Sequence, residues 1–280
     1  MRGTLQRAPN GFTLTELLLV LAIIVLLAVL LLPALARIRC DCGHRTDCMN
    51  NLHQIGIALH DYADMHHRMP SATIPNSVLE PDQRLSWAVQ LLPFLEEDGL
   101  YRQFDKKAGW EAETNRWLSH TPVPIFQCST WGRAFPSERP WKDTYVGIAG
   151  VGSEAARLPL SDANIGVFGY DRQITFADVK DGTSNTMMVL ESGWKTGSWA
   201  QGGFSTVRGF EPKDKPYMGN GRPFSGTHLI ESSLLTRGHS IGCNAMMVDG
   251  SVRFLNDSIS PEVLEAMATI AGGEKMPEDH

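Results

Sequence analysis

The sequence lacks the features by which nucleic-acid-binding and nucleotide-binding proteins are recognised. Its 25 Lys and Arg residues are outnumbered by 31 Asp and Glu residues, so the net charge is −6. There is no basic patch with interleaved aromatic residues, no glycine-rich phosphate loop, no internal repeat and no low-complexity tract. These absences argue against nucleic acid as a partner, against phosphate-loop chemistry and against a repeat architecture.

Catalytic signatures are equally scarce. No Ser-His-Asp or Cys-His spacing singles out a nucleophile. With 42% hydrophobic and 20% charged residues, 26 Gly, 16 Pro and 7 Trp, most of the chain reads as a globular part rich in turns and loops. About 240 residues lie beyond the N-terminal region, enough for one sizeable domain or two small ones. We expect a structural protein rather than an enzyme, without a required cofactor.

One long hydrophobic run lies near the N-terminus. Residues 17–32 contain no polar side chain, and residues 17–36 contain no charge. A helix of about 20 such residues crosses a hydrocarbon core of ~30 Å, so the run predicts a membrane-spanning helix over residues 12–36. Gly11 precedes this run, whereas a secretory signal peptide has its small-residue cleavage site after the apolar stretch. Cleavage at Gly11 would therefore leave the apolar helix in the mature protein.

The N-terminal signal of type IV prepilins and type II secretion pseudopilins is similar to residues 11–35, GFTLTELLLVLAIIVLLAVLLLPAL. The resemblance implies that prepilin peptidase cuts after Gly11 and that the new N-terminal residue, Phe12, is methylated. It also places the family's glutamate at Glu16 and its helix-bending proline at Pro33. The implied partners are the peptidase, the membrane and like pilin or pseudopilin subunits.

The role that the resemblance gives Glu16 agrees with membrane electrostatics. An ionised carboxylate in or near the bilayer costs about 3 kcal/mol or more, so Glu16 needs a partner. The free amine of Phe12 in a neighbouring subunit would supply one and would set the register between subunits. We therefore expect assembly into a surface filament or a secretion pseudopilus, and the sequence does not distinguish a major from a minor subunit. A plain single-pass anchor is the alternative.

The basic residues that flank the run favour the reverse topology, because two arginines precede it and three follow it closely: Arg2, Arg7, Arg37, Arg39 and Arg45. The processing signal takes precedence over this count. We expect a single-pass inner membrane protein with the leader in the cytoplasm. The head would then be periplasmic, extracytoplasmic or part of a surface filament.

The predicted fold class is α+β and pilin-like, with a long N-terminal transmembrane helix packed on a head domain that contains an antiparallel β-sheet. Leu52, Ile55, Leu59 and Tyr62 share one helical face, and Met69-Pro70 ends that helix. The predicted parts are a leader (1–11), a membrane and assembly helix (12–36), its continuation (37–70), the head (71–258), and a C-terminal helix with a loose tail (259–280).

Within the head, residues 84–104 predict two short helices or one helix kinked at Pro93. Ser260 and Pro261 predict the start of a helix that runs from Val263 to Ile270 and ends at Gly272-Gly273. Short β-type runs predict strands at Ile125–Cys128, Tyr145–Ala149, Ile174–Phe176, Thr186–Leu190, Ala245–Val248 and Val252–Leu255.

A second resemblance covers most of residues 11–258. The segments CMNNLHQIGIALHDY, SWAVQLLPFLEEDGLYRQF, PVPIFQC, DGTSNTMMVLE and HSIGCNAMMVDGSVRFL resemble a large planctomycete family of prepilin-type proteins that carries a domain of unknown function. The family's hallmark, a histidine, nine residues and then Asp-Gly, falls on His239 and Asp249-Gly250. Asp249-Gly250 also predicts a two-residue type I′ hairpin turn with positive φ at both residues. The turn is the simpler interpretation, because one His and one Asp make half a metal shell.

The five cysteines leave at least one unpaired if all bonds are internal. Cys40, Cys42, His44, Asp47 and Cys48 crowd together beyond the run, but one residue between the first two cysteines fits structural zinc poorly. An extracytoplasmic location favours disulfides. Because both lie in family-matching segments, Cys48 and Cys128 are the expected pair, and Cys243 is not assigned.

Two further ligand sites are conceivable. Major pseudopilins bind calcium in a head loop, and the resemblance suggests oxygen ligands from Asp181, Asn185 and the Thr183-Ser184 region, flanked by Asp178 and Glu191. A tight Asp-Gly turn leading into a strand is the favoured alternative. A rival function is a tethered ligand-binding or metal-dependent enzymatic head, with His239 and Asp249 at its site or a sugar groove lined by Trp194 and Trp199 in GSWAQGGFSTVRG.

Overall fold

A computed structural model shows how the chain folds over most of its length. It describes residues 14–36, 42–128, 143–219, 222–224, 228–229 and 241–273, with no side-chain detail for residues 28–36, 42–44, 228–229 and 241. The chain divides into two compact units, Met1–Gly43 and His44–His280. Gly11, Phe12 and His239 lie outside the described residues.

The first unit contains helix α1, Leu14–Ala36, which begins one turn ahead of the apolar run. Its large apolar side chains between Leu14 and Leu27 are exposed. Among the residues described here, no helix combines the length and the apolar character needed to cross a membrane.

Helix α2 spans Cys42–His66. The face that the spacing predicts is the buried one, because Leu52, Ile55, Leu59 and Tyr62 are each no more than 8% exposed. The helix ends at His66 because His67 takes a left-handed conformation, with φ of +60°. This termination precedes the predicted stop at Met69-Pro70 by a few residues.

Three short helices follow: α3 (Trp87–Leu91), α4 (Asp98–Gln103) and α5 (Glu113–Ser119). A 3₁₀ turn, Leu92–Leu95, lies between α3 and α4 and contains Pro93. Proline cannot donate the backbone hydrogen bond that a continuous helix requires, so the prediction of two short helices over residues 84–104 is confirmed.

One sheet forms the centre of the second unit. Its strands are β1 (Tyr145–Val151), β2 (Met187–Glu191), β3 (Val207–Phe210), β4 (His228–Leu229), β5 (Ile241–Met247) and β6 (Val252–Asn256). The order across the sheet is β3-β1-β2-β5-β6. The short strand β4 lies on the same edge of β5 as β2. Strand β6 occupies the other edge, where Gly242 pairs with Asn256 and Ala245 with Arg253. On the shared edge Gly242 pairs with His228 of β4, and Ala245 pairs with Leu190 of β2.

The sheet is mixed, so the prediction of an antiparallel sheet is wrong in one respect. Strand β1 pairs parallel with β3, in the register Gly147 to Val207, whereas β1–β2, β2–β5, β4–β5 and β5–β6 are antiparallel. Parallel neighbours need a crossover connection, and the chain from β1 to β3 supplies one through β2. The overall class of helices combined with a sheet agrees with the prediction.

The two faces of the sheet bury different clusters, as strand alternation requires. Tyr145, Ala149 and Met246 face the larger cluster, which includes the buried face of α2 and α3. Val146 and Ile148 face the smaller cluster, which is closed by the C-terminal helix. The head therefore has its sheet between α2 on one side and the C-terminal helix on the other.

Two of the predicted strands are wrong. Residues 125–128 overlap a 3₁₀ turn, Pro124–Phe126, because proline at its first position fixes a helical φ. Residues 174–176 form no strand, since Thr175 and Asp178 make a capping box that starts a 3₁₀ turn at Phe176. The strands predicted near residues 145, 186, 245 and 252 agree with β1, β2, β5 and β6.

The C-terminal helix, α6, spans Pro261–Ala268. The Ser260 side chain accepts a hydrogen bond from Val263 N at 3.3 Å, so the predicted N-cap is confirmed. The helix ends two residues earlier than predicted. Ile270 instead forms backbone hydrogen bonds with Ile165 and Lys180, which hold it in an extended segment.

Candidate functional site

The N-terminal motif residues divide between the described and the undescribed parts of the chain. Gly11 and Phe12 lie outside the described residues, so their processing and methylation stay predictions. Glu16 lies in the first turn of α1. Pro33 lies in the last turn of the same helix, and its side chain is outside the description.

The Asp249-Gly250 motif forms the turn between β5 and β6. Gly250 N donates to Met247 O at 3.0 Å, and Met247 N donates to Ser251 O at 2.8 Å. Gly250 has φ of +83°, whereas Asp249 does not adopt positive φ. The predicted type I′ turn is therefore wrong. The arrangement is a three-residue loop with a bulge at Gly250, in which only glycine needs the left-handed conformation.

The Asp249 carboxylate is used locally. Its Oδ1 accepts a hydrogen bond from Ser251 N at 2.9 Å, as in an Asx turn. Burial works to raise its pKa, but the hydrogen bonds from Ser251 and the charges of Arg253 and His60 outweigh burial, so the pKa is lowered. An exposed, ionised carboxylate in this position stabilises the loop. His239, the other half of the motif, lies outside the described residues.

A histidine that the sequence did not single out holds this turn to α2. His60 Nε2 lies 2.9 Å from Val248 O, and because a carbonyl can only accept, Nε2 is the donor. Val248 N and Asp249 N donate to Thr186 O and Thr183 O, at 2.9 and 3.0 Å. The motif turn is thus fixed on one side by α2 and on the other by the loop ahead of β2.

The proposed calcium ligands do not converge. Both Asp181 carboxylate oxygens accept backbone hydrogen bonds, from Gly272 N at 2.8 Å and Gly273 N at 3.1 Å. Asn185 Nδ2 donates to Asp181 O at 3.1 Å. Gly182, with φ of +96°, forms the tight turn. The segment is therefore a turn whose carboxylate anchors the chain after α6, and N–H donors occupy the positions that a cation would need.

A disulfide joins Cys48 on α2 to Cys128, with their Cα atoms 5.3 Å apart. This is the pairing that the family resemblance implied. Cys243 is a buried free thiol on β5. Burial, reinforced by the negative charge of Glu191, raises the pKa of the Cys243 thiol well above its usual value, so this residue is unreactive packing.

Two family matches agree with these features. The family described as "Protein of unknown function (DUF1559)" matches residues 43–262, which is most of the chain. The chain belongs to the DUF1559 family. The "Prokaryotic N-terminal methylation motif" matches residues 6–32, so the expected resemblance is confirmed and this is a type IV pilin-like protein of that family. No curated protein and no solved structure matches the chain.

Trp194 and Trp199 of the DUF1559 protein, both of which the structure describes, do not line a common groove. Trp199 is 2% exposed, donates from Nε1 to Thr121 O at 2.9 Å, and stacks on Phe126 with ring centroids 5.7 Å apart. It is a core residue. Trp194 is partly buried and meets Phe204 edge-on at 6.3 Å. The predicted sugar-binding pair of Trp194 and Trp199 is wrong, because one member has no exposed face.

Two buried arginines organise the loops of the DUF1559 head, and no periodic pattern marks them in the sequence. The Arg172 guanidinium donates to five backbone carbonyls at 2.7–3.3 Å, those of Ala149, Ala155, Leu158, Gly166 and Phe168. Burial lowers the pKa of Arg172 to about 10, partly offset by Asp162. Arg172 therefore acts as a cationic clamp on the loops around β1.

Arg208 on β3 is the second such residue, at 2% exposure. Its guanidinium donates to Trp194 O at 2.9 Å and to Pro223 O at 3.2 Å. Burial lowers the pKa of Arg208 to about 10, with Asp143 opposing the change. Burial also raises the pKa of the Asp143 carboxyl well above its ordinary value. Arg208 thus holds the loop after β2 through the Trp194 carbonyl, and the Asp143 carboxyl interacts electrostatically with Arg208.

Proposed function

We propose that this DUF1559 protein is a membrane-anchored, pilin-like structural subunit. Prepilin peptidase cuts it after Gly11, Phe12 becomes its methylated N-terminus, and α1 joins it to like subunits in a filament or a secretion pseudopilus. The work of such a protein is assembly, without catalytic turnover. The leader is cytoplasmic, and the N-terminal helix carries the head outside the cytoplasm in a pilin-like arrangement.

The observation that carries this proposal is the surface of α1 where the helix overlaps the methylation motif. Eleven large apolar side chains between Leu14 and Leu27 are each at least 44% exposed. Ten of them occupy positions 17–21 and 23–27, so they cover every face of the helix. Burying one such side chain completely contributes about 1.5–3 kcal/mol of free energy. About half of each of these side chains is exposed, so covering all of them would contribute more than roughly 8 kcal/mol.

Lipid and a bundle of like helices are the two environments that can cover such a helix on all sides. A subunit whose helix moves from lipid into a bundle makes head-to-tail contacts, because one part of each subunit meets a different part of the next. Contacts of this kind give open helical polymers rather than closed rings when the rotation does not close. The polymer is the filament or pseudopilus of the proposal.

The disulfide supports an extracytoplasmic head. Disulfides persist in the periplasm and outside the cell and are rare in the reducing cytoplasm. The Cys48–Cys128 bond joins residues 80 positions apart, so it depends on the fold of the head and not on the local sequence.

The rival function, a tethered ligand-binding or enzymatic head, draws little support from the described residues. Trp199 is in the core, Asp249 holds its own turn, and Asp181 binds backbone amides. These three residues, all considered for a ligand, thus have structural roles, while His239 lies outside the described residues.

The processing step is tested by replacing Gly11 with valine. A β-branched side chain at the cut position should block cleavage, so the full-length precursor accumulates on immunoblots of membranes. Gly3→Val, in the same leader, is the matched control and should mature normally. Mature-size protein from Gly11→Val would contradict the prepilin assignment.

The assembly step is tested by Glu16→Val. Removing a charge should spare membrane insertion yet reduce crosslinking between subunits several-fold, because the carboxylate no longer pairs with a neighbouring N-terminal amine. Thr15→Val, one residue away, is the control that keeps the charge. Unchanged crosslinked oligomers from Glu16→Val would count against the role given to this residue.

A further inference from the structure

Three potential metal ligands from distant parts of the chain meet at the disulfide. The Sγ atoms of Cys48 and Cys128 and a carboxylate oxygen of Glu191 all lie within 4.8 Å of one another. Each of the three residues is no more than 1% exposed. They come from α2, from the segment after the 3₁₀ turn at Pro124, and from the end of β2, so the fold rather than local sequence brings them together.

The backbone holds both cysteines independently of the bond between them. Cys128 N donates to Thr144 Oγ1 at 2.6 Å. The Tyr145 hydroxyl donates to Cys48 O at 3.3 Å. Reducing the disulfide removes neither contact, so the two thiols of the reduced chain stay beside each other on a rigid frame.

Glu191 is also held in place, by the backbone of a residue whose own side chain is buried and unpaired. Asn244 N donates to Glu191 Oε2 at 2.7 Å. Asn244 is fully buried, and both polar atoms of its side-chain amide are without a hydrogen-bond partner. A buried amide of this kind is normally satisfied by a bound water or ion.

A surface cleft lies beside the two cysteines. The cleft is lined by residues that flank them along the chain: Asp47, Asn51, Gln54, Pro124, Ile125 and Gln127. Cys48 and Cys128 are themselves fully buried, so a reductant reaches the disulfide through local opening of the structure next to this cleft.

We propose that the reduced form of this protein binds one Zn²⁺ through Cys48, Cys128 and Glu191. Two thiolates and a carboxylate are ligands that zinc accepts, with bonds of about 2.3 Å to sulfur and about 2.0–2.2 Å to oxygen. Tetrahedral bonding requires the two sulfurs to lie about 3.8 Å apart. Rotation of the freed side chains supplies that separation, since the Cα atoms are 5.3 Å apart.

The charge balance favours this exchange. Zinc brings two positive charges, and the loss of two thiol protons brings two negative ones, so the buried net charge does not change. The desolvation cost that makes buried ions unfavourable is therefore not increased.

The reaction has two balanced steps. A phosphine reductant and one water convert the disulfide into two thiols, and the phosphine becomes a phosphine oxide. Zn²⁺ then displaces the two thiol protons into the buffer. The disulfide and the metal complex are thus two alternative crosslinks between α2 and the sheet.

The test uses the full chain in detergent, with Cys40→Ser and Cys42→Ser introduced so that neither residue can bind metal. This parent is reduced with a phosphine, equilibrated with Zn²⁺, gel-filtered and assayed for zinc by elemental analysis. We expect one zinc per reduced chain and none per oxidised chain. Co²⁺ in place of zinc should give thiolate charge-transfer absorption.

Variants decide which side chains bind. Cys48→Ser should lose the metal, whereas Cys243→Ser, which removes a buried thiol elsewhere, should keep it. In Glu191→Gln the amide oxygen can still accept the hydrogen bond from Asn244 N. This variant should bind zinc at least about tenfold more weakly, because even the loss of a residue that only supports a ligand costs about that much affinity. Absence of zinc from the reduced parent, retention of zinc by Cys48→Ser, or loss of folded circular dichroism on reduction would each overturn the proposal.

Discussion

Removing the disulfide offers a quantitative test of how the head is held together. The bond closes a loop of 80 residues between Cys48 and Cys128. In the chain-entropy treatment, opening a loop of that length costs the folded state about 4.5 kcal/mol relative to the unfolded chain. We expect Cys48→Ala/Cys128→Ala to lower the free energy of unfolding by about 4 kcal/mol, because both alanines still fill buried positions.

The assay is urea unfolding followed by tryptophan fluorescence, with a chelator present so that zinc cannot replace the bond. For a unit of this size the loss corresponds to a decrease in Tm of roughly 10 °C. Cys243→Ala, which removes a buried thiol but no crosslink, is the control and should cost much less. A change below 1 kcal/mol in the double variant, or an equal change in the control, would refute the reasoning.

Substitutions at three other residues test the structural roles assigned above. Arg172→Met should lower the free energy of unfolding in urea by about 3–5 kcal/mol, because buried carbonyls lose a charged donor. Arg172→Lys should recover only part of this loss. Unchanged stability of Arg172→Met would contradict the role of Arg172 as a clamp. Trp199→Ala should cost about 3–5 kcal/mol of stability, whereas an exposed sugar-binding residue would cost little. Gly250→Ala should cost about 1–2 kcal/mol because of its positive φ, with Gly250→Asn costing less; equal stability of both with the parent would argue against the bulged turn.

The sequence predicted those elements whose signal is local. The apolar spacing along α2 identified its buried face, and Ser260-Pro261 identified the start of α6, because helix periodicity and capping depend on residues within one or two turns. Strand β3, Val207–Phe210, is absent from the predicted strands and overlaps the segment GSWAQGGFSTVRG that was considered for a sugar groove. Its place in the sheet depends on close backbone approach, since a Cβ at Gly209 would lie 2.4 Å from Gly152 O.

The roles of the candidate site residues were less predictable, because most depend on partners far along the chain. For Asp181 the sequence favoured a turn over a calcium ligand, but nothing local predicts that its oxygens accept from Gly272 N and Gly273 N. His60 attracted no notice, although it holds the motif turn. Glu191 was considered only as a flank of the calcium loop, and its position beside the disulfide follows from the pairing of β1, β2 and β5. No spacing rule in a single sequence encodes such meetings.

The most direct test of the account is mass spectrometry of the N-terminus of the native protein isolated from cells. The account predicts a chain that begins at Phe12, carries one methyl group on its amine, and lacks the eleven-residue leader. A chain that still begins at Met1 and is unmethylated would contradict the claim that this protein is a processed pilin-like subunit.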